Sequence, residues 1–265
     1  MTSPLSDRFD LHGMAPAGRP AFGIYLMLPS ADVAALLATL AGEGLDFVVV
    51  DAQHRPFNPE TISRIAHHAS AAGLACLVRV PAGGYGFAES VLDYGAAGIV
   101  FPVVDSAEDA ARCVASCRYP PLGGRSVGGV PGLGPPATDP LCIVQVERAT
   151  AVDAAAEILA VEGVDAVMPG PADIAASMGM VADYGQIGAA VAASRDLVRT
   201  VERAAEEAGI AWFRYCHDPA AIAEAVDDGC RLVHCGNDAD LLLGGARRLL
   251  EEALHAATTR GQGSR

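Results

Sequence analysis

The stretch Gly98–Cys113, GIVFPVVDSAEDAARC, decides the fold. Its first half, Gly98–Val104, is a nearly continuous apolar run rich in Val and Ile, the pattern of a strand buried on both faces of a parallel sheet. Asp105-Ser106-Ala107-Glu108 then reads as the start of a helix, with a short polar cap followed by an acidic first turn. One strand feeding one helix through a tight turn is the unit of an α/β protein.

The unit recurs along the whole chain. Further apolar runs lie at Phe22–Leu28, Asp46–Ala52, Ala75–Val80, Cys142–Glu147, Ala166–Pro171, Ile210–Cys216 and Leu232–Gly236. Helices are predicted to begin at Ala31, Pro59, Gly86, Ser106, Thr150, Tyr184, Asp218 and Ala239, several behind signals such as Asn58-Pro59-Glu60 and Asp218-Pro219. Gly44, Gly73, Gly209 and Gly229 sit where helices end, as C′ positions prefer. Eight such units match the (β/α)8 TIM barrel. The rival, a doubly wound sheet, favours a glycine fingerprint in its first βα turn, and Leu28-Pro29-Ser30-Ala31 offers none. The expectation is a single barrel domain over residues 1–265, with 1–20 as an N-terminal extension and 258–265 as a disordered polar tail. The Gly- and Pro-rich stretch from Tyr119 to Pro140 reads as a site loop or an interface.

The 265 residues carry 32 acidic and 18 basic side chains, a net charge of −14, and every basic residue is arginine. Without lysine there is no side-chain amine for a Schiff base and no Walker-type phosphate loop. If the protein works on a carbonyl, something other than an amine must stabilise the developing carbanion. The acidic balance argues against nucleic acid and anionic membranes as partners. No apolar run approaches the roughly 20 residues of a bilayer span, and the first 20 residues lack a basic-then-apolar leader. The 7 cysteines form no CxxC pair and read as small buried hydrophobes of a cytoplasmic protein.

Barrel enzymes carry their chemistry at the C-terminal ends of strands. That rule gathers Asp51, Gln53 and His54 after the second strand, Arg79 on the third, Gln145 and Glu147 on the fifth, and Gly170-Pro171-Ala172-Asp173 after the sixth. Glu147 and Asp173 come from consecutive strand ends and suit Mg²⁺ or Mn²⁺, which prefer oxygen ligands. The other reading makes Asp173 a helix cap and Glu147 a partner of Arg148. Arg79, inside an apolar strand, needs an anion: a bound keto acid, or Asp51 within the protein. His54 follows Asp51 by three positions, so the carboxylate is placed to orient the ring for acid–base work. His67-His68 and the segment Gly123–Gly129 carry no specific signal. Trp212 reads as core.

Together the segments DFVVVDAQH, LVRVP, YGAAGIVFPVVDSAEDA, YPPLGGRSVG, IVQVE and VEGVDAVMPGPADIAASMG resemble the HpcH/HpaI aldolase family, the metal-dependent class II pyruvate aldolases related to citrate lyase beta subunits. The resemblance runs from about Phe22 to Leu250. It implies that Glu147 and Asp173 bind a divalent metal (Mg²⁺ or Mn²⁺, with Co²⁺ as another candidate). It implies that Arg79 holds the keto acid and stabilises the enolate oxygen, and that His54 with Asp51 is the acid–base pair. Gln145 then lines the site, and Gly170, Pro171 and Ala172 meet the substrate carboxylate. The implied function is cleavage or formation of 4-hydroxy-2-oxo acids through a pyruvate-type enolate and an aldehyde. An oxaloacetate-using decarboxylase or citrate-synthase-like enzyme of siderophore pathways is the alternative within the family, and a non-catalytic keto-acid-binding barrel the alternative outside enzymology. The resemblance also implies a homo-oligomer, trimer or hexamer, with the C-terminal helix Ala239–Ala257 exchanged between partners. Gln53, Arg55, Pro169 and a short 127–142 segment depart from the family's usual pattern and bear on the aldehyde end.

Overall fold

The computed structural model describes residues 18–128, 139–181, 185 and 187–262. The strands are β1 (Ala21–Leu26), β2 (Phe47–Asp51), β3 (Ala75–Arg79), β4 (Gly98–Phe101), β5 (Leu141–Val146), β6 (Ala166–Pro169), β7 (Ala211–Tyr215) and β8 (Leu232–Asn237). Each pairs in parallel with its neighbours in chain order, and β8 pairs with β1 to close the barrel. The (β/α)8 expectation is thus met.

Helices α1 (Ala31–Ala38), α2 (Pro59–Ala71), α3 (Tyr85–Asp93) and α4 (Ala107–Cys117) follow the first four strands. Their starts are set by side-chain caps: Ser30, Asn58 and Ser106 accept hydrogen bonds from the amides of Val33, Thr61 and Asp109. After β5 come two short helices, α5 (Ala149–Asp153) and α6 (Ala155–Leu159). After β6 come α7 (Pro171–Ser177), α8 (Ile187–Ala193) and α9 (Arg195–Ala208); α10 (Pro219–Asp227), capped by Asp218, and α11 (Asp238–Gln262) complete the order.

Three differences from the sequence reading have physical causes or set its limits. Strand β4 stops at Phe101 rather than Val104, because Pro102 has no N–H to give the ladder and Val103 turns to a left-handed φ of 57°. The helix expected from Tyr184 begins outside the described residues, as do most of the 1–20 extension and the heart of the 127–142 segment. Helix α11 continues through Gln262, past Thr258, where polar composition predicts the end of order.

Strand pleating divides the apolar residues into two cores. Val48, Val50, Cys76, Val78, Ile99 and Val144 face outward and pack against the helices, with Trp212 among them. Tyr25, Phe47, Val49, Leu77, Val100, Ile143, Met168 and Phe213 face inward and fill the barrel. Cysteines 76, 113, 117, 142, 216 and 230 are buried and Cys235 is half-buried, all of them free thiols. No helix among the described residues is long and apolar enough to cross a membrane.

Filling the barrel demands small residues opposite large ones. Gly23 pairs with Phe47 on β2 and with His234 on β8, so two rings share its level. A Cβ at Gly23 would lie 2.1 Å from the Phe47 ring. The Gly23→Ala protein is expected to lose roughly 2 kcal/mol of stability through overpacking, read as a lowered urea midpoint with an unchanged slope.

Candidate active site

The inward parity that places Phe47, Leu77 and Ile143 in the barrel continues up each strand. Asp51 stands four residues past Phe47, Arg79 and Gln145 stand two past Leu77 and Ile143, and Glu147 stands two beyond Gln145. Alternation therefore aims polar side chains at the barrel mouth. Arg79, Gln145, Gly170, Pro171, Ala172 and Asp173 line a cavity of about 530 Å³ there, within the usual size of small-molecule sites.

Asp51 is fully buried and grips Arg79 side-on. Arg79 Nε donates to Asp51 Oδ1 at 3.0 Å, and Nη2 lies 3.0 Å from Oδ2. Among the described residues, Arg79 Nη1 has no hydrogen-bond partner, and the guanidinium lines the cavity. Both readings of Arg79 therefore meet in one side chain: one edge is paired within the protein, the other is available to an anion. Its Cζ also lies 5.3 Å from the centre of the Tyr25 ring, a cation–π contact.

Asp51 Oδ1 also accepts the backbone N–H groups of Gln53, at 3.3 Å, and His54, at 3.2 Å. The structure thus joins Asp51 to the main chain of His54 rather than to its ring, because Arg79 occupies the carboxylate's free edge. The ring of His54 is exposed and outside the cavity lining.

Glu147 is buried just beyond β5, and its Oε1 accepts the amide of Val103 at 2.9 Å. Val103 is a β-branched residue in the left-handed region, a conformation costing about 1–3 kcal/mol. That turn delivers the N–H to the carboxylate. Gly170 is required on the other side: a Cβ there would stand 2.5 Å from Glu147 Cβ. Burial, reinforced by the negative charge of Asp173 and opposed by Arg79, raises the Glu147 pKa to about 7. Asp173 lies in the first turn of α7, where the helix dipole favours an anion.

Glu147 and Asp173 repel each other across a partly dry site, an arrangement relieved by a cation. The buried Gln145 Oε1, which has no hydrogen-bond partner among the described residues, adds a further oxygen. An all-oxygen donor set of this kind fits a hard divalent ion that keeps positions open for water and substrate. Among the described residues no group of three or more His, Cys, Asp or Glu side chains gathers to hold a metal, here or elsewhere, so this mouth offers two carboxylates rather than three.

Sequence reasoning missed the aromatic side of the mouth. Tyr25, Tyr215, His217, His234 and Asn237 line the same cavity. His234 is buried among Tyr25, Phe47 and Phe213, whose ring centres lie 4.8, 5.4 and 5.0 Å away. Burial and the neighbouring charge of Arg79 lower its pKa to about 3, so it is neutral. The alternating strand pattern extended to β1, β7 and β8 was the available signal.

The model of the HpcH/HpaI aldolase/citrate lyase family matches residues 23–244. The chain belongs to this family. It is a lyase of the aldolase type. A hydroxypyruvate/pyruvate aldolase of Deinococcus radiodurans is 34% identical, over 93% of this chain and 89% of its own. A 4-hydroxy-2-oxo-heptane-1,7-dioate aldolase of Klebsiella pneumoniae is 33% identical, over 92% of this chain and 93% of its own. Among solved structures, an HpcH/HpaI aldolase from Desulfitobacterium hafniense superposes with a TM-score of 0.79 at 28% identity, covering 93% of this chain and 95% of its own.

The raised Glu147 pKa has a consequence for this aldolase's stability. Between 4.5, the group's ordinary value, and about 7 the folded protein keeps a proton that the unfolded chain has lost. Stability is therefore lost as pH rises through that window. In chelator-treated samples, wild type is expected to fall relative to Glu147→Gln by on the order of 2 kcal/mol from about pH 5 to about pH 8. Urea unfolding at each pH measures the difference; parallel profiles contradict it.

Proposed function

We propose that the protein is a divalent-metal-dependent aldolase that cleaves or forms 4-hydroxy-2-oxo acids, with pyruvate or a close analogue as the keto-acid product and an aldehyde as the other. The observation that carries this reading is the meeting of Arg79's unpaired guanidinium edge with the carboxylates of Glu147 and Asp173 at one barrel mouth. The relatives' names, hydroxypyruvate/pyruvate aldolase and 4-hydroxy-2-oxo-heptane-1,7-dioate aldolase, point to the same substrate class.

Glu147 and Asp173 are the ligands of the ion, Mg²⁺ or Mn²⁺ by their oxygen chemistry, with Co²⁺ a further candidate. When bound, it supplies Lewis acidity toward the keto group. Gln145 borders the keto-acid subsite. The Gly170-Pro171-Ala172 segment receives the substrate carboxylate at the first turn of α7, through the Ala172 amide, since Gly170 N–H is bonded to Val146 O and Pro171 has none. Arg79, immobilised by Asp51, places its positive charge where the enolate oxygen develops and so stabilises that charge in the transition state. His54, at the exposed edge, takes the proton of the 4-hydroxyl through a water as the C3–C4 bond breaks, and Asp51 fixes the backbone from which His54 works. Without lysine, the chain has no side-chain amine to form a Schiff base as the electron sink instead.

Chelation is expected to abolish aldol cleavage and Mn²⁺ to restore it in wild type. The Glu147→Gln and Asp173→Asn proteins lose at least 100-fold in metal-dependent kcat/KM, on the order of 3 kcal/mol. Arg79→Ala slows deuterium exchange into the pyruvate methyl group, read by NMR. Full activity after chelation contradicts the reading.

The same reading includes a homo-oligomer that exchanges α11. Leu241, Leu242, Leu243, Leu249, Leu250 and Leu254 on this helix are 50% to 67% exposed, an apolar surface that supports burial against a partner's barrel. A trimer or hexamer is expected by light scattering, and Leu250→Asp is expected to shift it toward monomer. A monomeric wild type contradicts the exchange. The cytoplasm, where free thiols persist, is the proposed compartment.

A further inference from the structure

The aldolase reading leaves the β7–β8 side of the mouth without a task. In a closed ring of eight strands β7 stands opposite β3, which carries Arg79. A keto acid held by Arg79 therefore directs the rest of the substrate toward the other wall. Tyr215, the last residue of β7, is half-buried there and lines the cavity with Asn237 and His217.

The hydrogen bonds around Tyr215 determine what its hydroxyl can do. Asn237 Nδ2 donates to Tyr215 Oη at 2.9 Å. The amide cannot be turned around, because Asp240 holds it from both ends. Asn237 Nδ2 also donates to Asp240 Oδ2 at 2.7 Å, and the Asp240 backbone N–H donates to Asn237 Oδ1 at 2.9 Å. A carboxylate oxygen only accepts and a backbone N–H only donates, so both amide atoms are assigned. Tyr215 Oη is thereby an acceptor from Asn237, and its own proton is left over. Among the described residues that proton meets no acceptor. The ring itself is set by the strand end and by the edge-on ring of His217, with centres 4.7 Å apart.

We propose that Tyr215 donates a hydrogen bond to a hydroxyl oxygen on the aldehyde portion of the substrate, and that hydroxylated aldehydes are the class this site accepts. The proposal rests on the aldolase reading and deepens it. Burial, with a smaller contribution from the negative charge of Asp240, raises the Tyr215 pKa, so the phenol keeps its proton. That same charge disfavours a carboxylate at this position and leaves a neutral hydroxyl as the fitting group. A site built to hydrogen-bond a hydroxyl discriminates against the analogue that lacks one, since the donor is then desolvated without a partner.

The test compares glyceraldehyde with propanal, both three-carbon aldehydes, as acceptors for pyruvate in the Mn²⁺-loaded protein. Wild type is expected to favour glyceraldehyde by about 10-fold or more in kcat/KM. Tyr215→Phe is expected to reduce that ratio by about 10-fold, chiefly through KM for glyceraldehyde. Asn237→Ala, which keeps the phenol but frees its orientation, is expected to reduce the ratio by a smaller factor. A ratio unchanged in Tyr215→Phe overturns the proposal, as does a wild-type preference for propanal. Wild type that exchanges pyruvate methyl protons yet uses neither aldehyde overturns the subsite alone; absence of exchange as well overturns the aldolase reading with it.

Discussion

The constraint on which the rest of this molecule depends is the two-residue pleat of eight strands closed into one parallel ring. Closure leaves no sheet edge, so each inward side chain must fit the same interior as the inward side chains of its neighbours. Phe47 fits because Gly23 has no Cβ; Leu77 and Leu141 fit because Gly98 has none. A slip of one residue in any strand turns its whole inward set outward. Stability and site geometry thus share one register. The parity that buries Phe47, Leu77 and Ile143 also aims Asp51, Arg79 and Gln145 at the mouth.

Polar groups at that mouth are costly to bury, and the structure meets part of the cost by pairing them. Asp51 neutralises one edge of Arg79 and holds the turn that carries His54. Val103 gives up a favourable backbone conformation to place an N–H on Glu147, and Gly170 gives up a side chain to make room beside it. Glu147 and Asp173, whose negative charges act on each other, remain unreconciled by the protein's own cations. Arg79 offsets their repulsion without cancelling it. This residual negative potential sits beside a guanidinium edge, and that contrast is what suits the mouth to a metal ion and an anionic keto acid together. Around the rest of the mouth the rings of Tyr25, Tyr215 and His234 offer neutral surface.

Sequence alone determined the element order, because nearly continuous apolar runs of five to seven residues followed by capped helical stretches have few other interpretations. It also gathered the candidate residues of one rim, since strand-end position is readable once the strands are known. The missing lysine was wholly a sequence fact, and it narrowed the chemistry before any coordinate was known. Tertiary structure decided what sequence spacing leaves open. His54 and Asp51 are three residues apart, but only the barrel shows Asp51 turned to Arg79, whose β3 position is 28 residues away, with His54 held by its backbone. The left-handed turn at Val103, the space that Gly170 leaves for Glu147, and the fixed amide of Asn237 that commits the Tyr215 hydroxyl all arise from contacts between strands and loops distant in the chain. Local sequence specifies which side chains can reach the mouth; packing across the closed ring decides which atoms of those side chains are left for a substrate.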